Sequence, residues 1–244
     1  MQRFFVLPEA INDGMVTITG SDVNHIRNVL RMKEGEEFRV SDGENDYYCI
    51  LRKLSQEQVV AQVCYQEKGA TELPVRVHLF QGLPKGDKME LILQKAVELG
   101  AYEVIPVSMK RCVVKLDQKK AVAKNKRWSI IAESAAKQSK RIIIPKVASV
   151  MSYKEALAYA KDFDKKLLPY ENEKGMAGTR QLLADCKECR DIAVFIGPEG
   201  GFDDAEVELA KEAGFHTLSL GSRILRTETA GLTMLSILVY ELEE

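Results

Sequence analysis

Ile192-Ala193-Val194-Phe195-Ile196-Gly197-Pro198-Glu199-Gly200-Gly201-Phe202-Asp203-Asp204-Ala205-Glu206-Val207 reads as a buried strand, a glycine loop and a helix start. The apolar run 192–196 has a strand's length, and turn residues end it. Asp203 suits the N-cap, Glu206 stands at the capping-box position, and Phe202 and Val207 stand at the staple positions. The same alternation extends in both directions. Upstream, strands at 75–82, 104–107 and 166–168 alternate with helices at 88–99, 118–140 and 153–160. Downstream come a strand at 216–220 and a helix at 227–242. In helix 88–99, Met89, Ile92, Leu93, Ala96 and Leu99 recur at helical spacing, and Gly100 ends it. Alternating strands and helices predict an α/β domain whose parallel sheet is covered on both faces.

The first 70 residues lack this rhythm. Short apolar runs at 4–7, 15–18, 47–51 and 58–63 are separated by turn residues such as Ser41-Asp42-Gly43. One short helix is expected after Ser21 or Asp22, with Val23, Ile26, Val29 and Leu30 on one face. The reading is a mainly β domain over 1–70, a polar linker at 71–74 ending in Pro74, and the α/β domain over 75–244. Neither repeats nor low-complexity segments interrupt this plan.

Composition narrows the class. Apolar residues make up 45% and charged residues 29% of 244, which excludes a disordered chain. The uncharged run 230–240 is too short to span a membrane, and MQRFFVLPEA lacks a signal peptide's apolar core. A soluble cytoplasmic protein is expected. The five cysteines fit reduced thiols. Cys186 and Cys189 form a C-x-x-C without the further ligands that structural zinc needs, so no metal is expected.

The net charge of −1 conceals an asymmetry. Residues 1–74 carry 8 basic and 12 acidic side chains, residues 75–146 carry 16 and 6, and residues 147–244 carry 11 and 18. The excess of positive charge lies between Lys110 and Lys146, where only Asp117 and Glu133 oppose it. Such a block is either a solvated helix face or a local footprint for a polyanion, whose counterions it would release.

Ligands of open α/β sheets bind at the carboxyl ends of strands. Two glycine-bearing loops fall there: 197–201, and Gly221-Ser222-Arg223-Ile224-Leu225-Arg226. Glycine lets backbone amides approach a ligand closely. Neither loop has the G-x-G-x-x-G spacing of a dinucleotide site. Gly82-Leu83-Pro84-Lys85-Gly86-Asp87-Lys88 precedes a helix but has the wrong glycine spacing for a P-loop, and Met89 replaces the magnesium-binding hydroxyl. Lys85 and Lys88, near a helix N-terminus, are candidates for holding an RNA phosphate. No Gly-x-Ser-x-Gly or His-Glu-x-x-His pattern supports a hydrolase.

Ile196-Gly197-Pro198-Glu199-Gly200-Gly201-Phe202, followed by Leu220-Gly221-Ser222-Arg223-Ile224-Leu225-Arg226-Thr227-Glu228-Thr229-Ala230, closely resembles the ribosomal RNA small-subunit methyltransferase E family. That family belongs to the SPOUT class of S-adenosylmethionine-dependent RNA methyltransferases. Lys88-Met89-Glu90, Lys95, Glu98-Leu99-Gly100, Pro106, Glu133, Gln138-Ser139, Arg141, Arg3-Phe4-Phe5, His25 and Val29-Leu30-Arg31 extend the match over nearly the whole chain.

The resemblance implies an α/β domain with a SPOUT-type parallel sheet and a C-terminal deep trefoil knot. Periodicity would not suggest a knot, because true knots are almost absent from proteins. It further implies an N-terminal PUA-like β-barrel that helps bind RNA, a homodimer, and N3-methylation of a uridine in the 16S ribosomal RNA of the small subunit, uridine 1498 in the family. Carried over position by position, Leu168, Ile196, Gly197, Leu220, Gly221, Ile224 and Leu225 would enclose S-adenosylmethionine. Arg226 would orient the uracil or stabilise its anion. Glu199 and Glu228 are the candidate bases. Arg3, Arg31, Lys85, Lys88, Gln138 and Arg141 are the RNA-binding candidates, with Glu133, Gln138 and Arg141 alternatively meeting the partner subunit. Two other readings stay open: a SPOUT enzyme methylating a ribose 2′-oxygen of another RNA, and a non-catalytic RNA-binding assembly factor.

Overall fold

The computed structural model describes residues 1–243; Glu244, the last residue of the expected C-terminal domain, lies outside the described residues. The chain forms two compact units. One contains Met1–Glu72 together with Ala136–Ile144, and the other contains Leu73–Ala135 and the chain from Pro145 onward.

In the N-terminal unit the strands are β1 (Arg3–Phe5), β2 (Ile11–Asn12), β3 (Met15–Thr19), β4 (Glu37–Ser41), β5 (Asn45–Leu54) and β6 (Gln58–Lys68). They form one sheet in the order β1-β4-β5-β6-β3-β2. Its ladders are antiparallel except for β1 on β4. Period-two alternation turns Phe38 and Val40, Cys49 and Leu51, and Val59 and Ala61 toward one core. Phe4 meets Phe38 edge-on there, ring centres 5.6 Å apart, a favoured aromatic geometry.

The short helix differs from expectation. Gly20, at φ +76°, takes the cap position of α1 (Ser21–Asn24) with no side-chain cap. The chain then widens into a π-type turn, His25–Val29. The wider turn keeps Val23 and Ile26 buried but leaves Val29 62% exposed, off the apolar face predicted for it.

The C-terminal unit follows the alternation. Its elements are β7 (Arg76–Gly82), α2 (Lys88–Glu98), β8 (Glu103–Ser108), α3 (Gln118–Ser139), β9 (Lys146–Val147), β10 (Met151–Ser152), α4 (Tyr153–Tyr159), β11 (Lys165–Pro169), α5 (Ala177–Ala184), β12 (Asp191–Ile196), α6 (Asp204–Glu212), β13 (His216–Leu218) and α7 (Thr227–Leu242). The last turn of α3 belongs with the N-terminal unit. The sheet order is β10-β8-β7-β12-β11-β13, with β9 also on β8, and every ladder is parallel.

From β7 the chain builds outward through β8 to β10, then crosses to build β11, β12 and β13 on the other side. The two glycine loops leave the carboxyl ends of β12 and β13, which flank β11, and carboxyl ends are where open α/β sheets hold ligands. Phe195 of β12 stacks on Phe80 of β7 at 4.9 Å. Tyr153, Phe202 and Phe215 approach Phe195 edge-on. This aromatic packing fixes the strand from which the first loop departs. No helix among the described residues is long and apolar enough to cross a membrane.

Candidate functional site

The loop after β12 is held by its own turn and by its neighbours. Gly201 N–H donates to Pro198 O at 2.9 Å. Gly201 has φ +68°, and a Cβ there would stand 2.7 Å from the Glu171 carboxylate, so only glycine fits without displacement. Asp203 caps α6 in the predicted capping box with Glu206. Glu206 also accepts the Lys110 N–H at 2.8 Å. Lys110 Nζ lies 2.9 Å from Asp203, and Arg111 donates to Gly200 O at 3.2 Å. The Lys110 ammonium, opposed by burial and aided by the Ala205 N–H, holds the Asp203 carboxyl below its ordinary value.

The loop between β13 and α7 is anchored at both ends. Thr179 of α5, a helix the sequence reading did not anticipate, donates to Ser219 O at 2.8 Å and accepts Ser219 N–H at 3.1 Å. At the other end Thr227 Oγ1 donates to Gly197 O at 2.6 Å. Gln81 Nε2, fully buried on β7, donates to Thr227 Oγ1 at 2.8 Å. One buried chain of hydrogen bonds thus ties β7, the first glycine loop and the start of α7. A Cβ on Gly82 would come within 2.7 Å of Pro198 N, so β7 also touches that loop through its backbone.

Between the two loops lies a cavity of about 380 Å³ lined by Ile196, Gly197, Ile224, Leu225 and Arg226 among others. A smaller recess of about 110 Å³ is lined by Leu220 and Gly221 and shares Ile224 and Leu225. Six of the seven expected cofactor residues therefore line one space or the other. Leu168 is fully buried beneath, and its neighbour Pro169 forms the shared wall. Sequence reasoning missed Pro169 and Glu171, which line both spaces, and Phe202 and Ala230. The signal for the first two was available: they follow the strand predicted at 166–168, at its carboxyl end.

The charged side chains converge on the larger cavity. Glu199 and Arg226 line it. Glu228, in the first turn of α7, has its Oε2 3.2 Å from Lys88 Nζ, and Glu199 Oε1 is 3.0 Å from the same nitrogen. Glu199 also accepts the Lys85 N–H at 3.1 Å. Burial opposes ionisation of Glu199, but the Lys85 amide and the Lys88 ammonium outweigh it and hold the carboxyl below its usual range. The carboxylates of Glu199 and, after it, Glu228 raise the Lys88 ammonium above its ordinary value.

The remaining RNA-binding candidates are dispersed. Arg31, Lys85 and Gln138 are exposed. Arg3 is only 5% exposed, paired with Asp46 and donating to Lys140 O. Arg141 is 3% exposed and paired with Glu72. Both arginines are thus inside the N-terminal unit, not on the surface expected for them. The basic block is also partly consumed internally, by Arg127 with Glu90, Lys137 with Asp22 and Lys146 with Glu103.

Comparison with known proteins agrees with this geometry. The RNA methyltransferase domain family matches residues 71–239, and the RNA methyltransferase PUA domain family matches residues 18–64. The chain is 40% identical to ribosomal RNA small subunit methyltransferase E of Bacillus subtilis, covering 100% of this chain and 98% of that protein. It is 36% identical to the protein of the same name from Mesomycoplasma hyopneumoniae, over 97% of this chain and 98% of that one. Among solved structures, the Neisseria gonorrhoeae ribosomal RNA small subunit methyltransferase E bound to S-adenosyl methionine superposes with a TM-score of 0.84 at 34% identity, covering 97% of this chain and 96% of that one. A Legionella pneumophila methyltransferase in complex with the same cofactor gives 0.84 at 31% identity, with the same coverage. This chain, with its PUA-type N-terminal unit and its two-loop cavity, belongs to the ribosomal RNA small subunit methyltransferase E family.

Proposed function

We propose that the protein transfers a methyl group from S-adenosylmethionine to N3 of a uridine in the 16S ribosomal RNA of the small subunit. The observation that carries this reading is the cavity between the two glycine loops, lined by Arg226, Glu199 and Lys88, with Glu228 paired to that lysine. Its size falls within the range of small-molecule sites. The residues present fit the cofactor: Ile196, Leu225 and Pro169 offer apolar walls for an adenine, and Gly197, Gly200 and Gly201 let the backbone come close. S-adenosylmethionine supplies an activated methyl on a sulfonium, so the transfer asks for no metal.

The chain's own residues supply the rest. Uridine N3 carries a proton and becomes a nucleophile when that proton leaves. Arg226 faces the cavity from the N-cap of α7, where its guanidinium would steady the charge developing on the uracil oxygens. Glu199 and Glu228 are the candidate bases for that proton. N3 lies on the pairing edge, so the target base is taken unpaired or flipped out. Exposed Arg31, Lys85 and Gln138 remain candidates for RNA contact, with the lysines of α3 adding phosphate attraction.

Three further parts of the reading rest on the family. The C-terminal trefoil knot is the family's, and the return of the chain from edge strand β13 to Thr227 beside the first loop supports it. The outer face of α7 exposes a shallow groove of Leu232, Ile237 and Tyr240, suited to a second copy in a homodimer. Its ribosomal substrate places the enzyme in the cytoplasm.

The test is a transfer assay with labelled S-adenosylmethionine and unmodified small subunits, the product nucleoside being identified by mass spectrometry. 3-Methyluridine at one 16S position is the expected outcome. A ribose-methylated nucleoside would keep the cofactor and overturn the target. Failure of both transfer and calorimetric cofactor binding would leave a non-catalytic RNA-binding factor.

A further inference from the structure

Lys88 opens α2, and its ammonium stands between carboxylates from two other elements: Glu199 from the loop after β12 and Glu228 from the first turn of α7. A lysine awaiting a phosphate keeps its charge in water. Here only 30% of the side chain is exposed, and both neighbours within 3.2 Å are acids. The Oε2 of Glu228 is buried and lies off the hydrogen-bond direction of Lys88, so its attraction to the ammonium is one of charge.

Two carboxylates brought to one point repel, and repulsion of that kind forces one of them to hold a proton. A shared cation removes the conflict. We infer that Lys88 is a positioning residue of the transfer site, whose ammonium holds the Glu199 carboxylate at the cavity edge with Glu228 beside it. This rests on reading the cavity as the methyl-transfer site. The cluster of one ammonium and two carboxylates carries net negative charge, which disfavours a backbone phosphate at Lys88. It favours a carboxylate already empty of its proton when the uridine arrives.

The other charged groups around Lys88 are Lys85 and Asp87 on its own segment, Arg226 on α7, Glu171 across the cavity, and Arg111 against Gly200. Among the described residues none of these forms an ion pair with Glu199 or Glu228, so the ammonium of Lys88 is the cation whose loss both acids feel.

The test reads the carboxylates directly and needs no substrate. Protein carrying ¹³C-labelled glutamate is titrated by NMR, with the Glu199 and Glu228 side-chain signals assigned through E199Q and E228Q. In K88M the Glu199 midpoint is expected to rise by about one pH unit, the usual consequence of removing an adjacent opposite charge. K88R is expected to hold it near the native value. The acid limb of the methyl-transfer rate is expected to move with the midpoint in K88M, while calorimetric affinity for S-adenosylmethionine stays within about twofold. The inference is overturned if K88M leaves the Glu199 titration in place. It is equally overturned if K88M instead weakens RNA binding and lowers its salt slope by about one, the mark of a lost phosphate contact. Should the native protein bind no S-adenosylmethionine, the cofactor reading fails, and the carboxylate titration still decides the role of Lys88. K88Q, checked by circular dichroism, replaces K88M if the longer apolar side chain disturbs folding.

Discussion

Arg226 illustrates how a residue's role follows from where the backbone leaves it. It is the N-cap of α7 yet makes no side-chain cap bond, so its guanidinium is uncommitted to the helix and lines the cavity. Its backbone C=O still accepts the Ala230 N–H at 2.8 Å, a bond that alanine would preserve. R226A is therefore expected to lower methyl transfer by about 100-fold or more, the usual loss when a preorganised donor is removed. Calorimetric affinity for S-adenosylmethionine should change little, and equal loss of both would place Arg226 among the cofactor's own ligands. At this scale the pocket was legible in the sequence wherever a residue lies in a glycine loop, as Ile196, Gly197, Gly221 and Leu225 do. Glu171 was missed because it follows a strand through an unremarkable Pro169-Tyr170, with no glycine to mark the bend. The burial of Arg3 and Arg141 was illegible for a different reason. Their acidic partners, Asp46 and Glu72, are 43 and 69 positions away in sequence, and residue type alone does not separate a buried arginine from one facing RNA.

Elements with strong local signals were read nearly residue for residue. Helix α7 was expected at 227–242 and spans Thr227–Leu242; α6 begins at the predicted capping box. Elements without such signals were lost. α5 is short, has no side-chain cap and buries only Thr179 and Leu183, and β9 and β10 are two-residue pieces set by pairing with β8. The parallel sheet also has a part that periodicity does not show, a polar network at the end opposite the glycine loops. His78 of β7 stands 3.1 Å from Glu103 of β8 and 3.0 Å from Asp191 of β12. Tyr159 and Lys146 add contacts to Glu103 at 2.9 and 3.1 Å, and Arg76 pairs with Asp191. Burial opposes ionisation of Glu103, but His78, Lys146 and Tyr159 outweigh it and bring its carboxyl below 4.5. Asp191 is likewise held below 3.8 against its burial by Arg76 and His78. A carboxyl depressed on folding contributes stability that is complete above its unfolded value and is lost as pH falls through the folded one. The C-terminal unit should therefore hold a constant urea midpoint from about pH 7 to about pH 5 as far as these groups decide it, then weaken below about pH 4. Trp128, 3% exposed in that unit, reports the transition by fluorescence. E103Q should lower the neutral midpoint and flatten the acid limb; an equally steep limb would place the acid sensitivity elsewhere.

Across the whole molecule, charge and chain path depart from the linear reading in the same segment. The block 75–146, with 16 basic and 6 acidic side chains, reads as a solvated helix face or a polyanion footprint. In the fold its residues 136–144 leave the C-terminal unit and join the N-terminal one. There Ser41 Oγ donates to Ile142 O at 2.7 Å, Lys137 lies 2.9 Å from Asp22, and Arg141 pairs with Glu72. Two of the cations, Lys137 and Arg141, thus pair with acids of the N-terminal sequence. That exchange explains why residues 1–74 carry an excess of acid in a protein of an RNA-modifying family. Glu72 is the chief acceptor, since its carboxylate also takes the Ile142 N–H at 3.1 Å. E72Q leaves the 3%-exposed Arg141 without that carboxylate. Breaking a buried pair from one side costs about 3–5 kcal/mol, and partial exposure of Glu72 reduces this toward about 2–3 kcal/mol. Because the pair lies within one unit, the loss should be local. Amide exchange along β5 and β6 should accelerate, while the Trp128 fluorescence transition of the C-terminal unit stays near its native temperature. A drop in both together would mean that the two units unfold as one, and that segment 136–144 transmits stability between them.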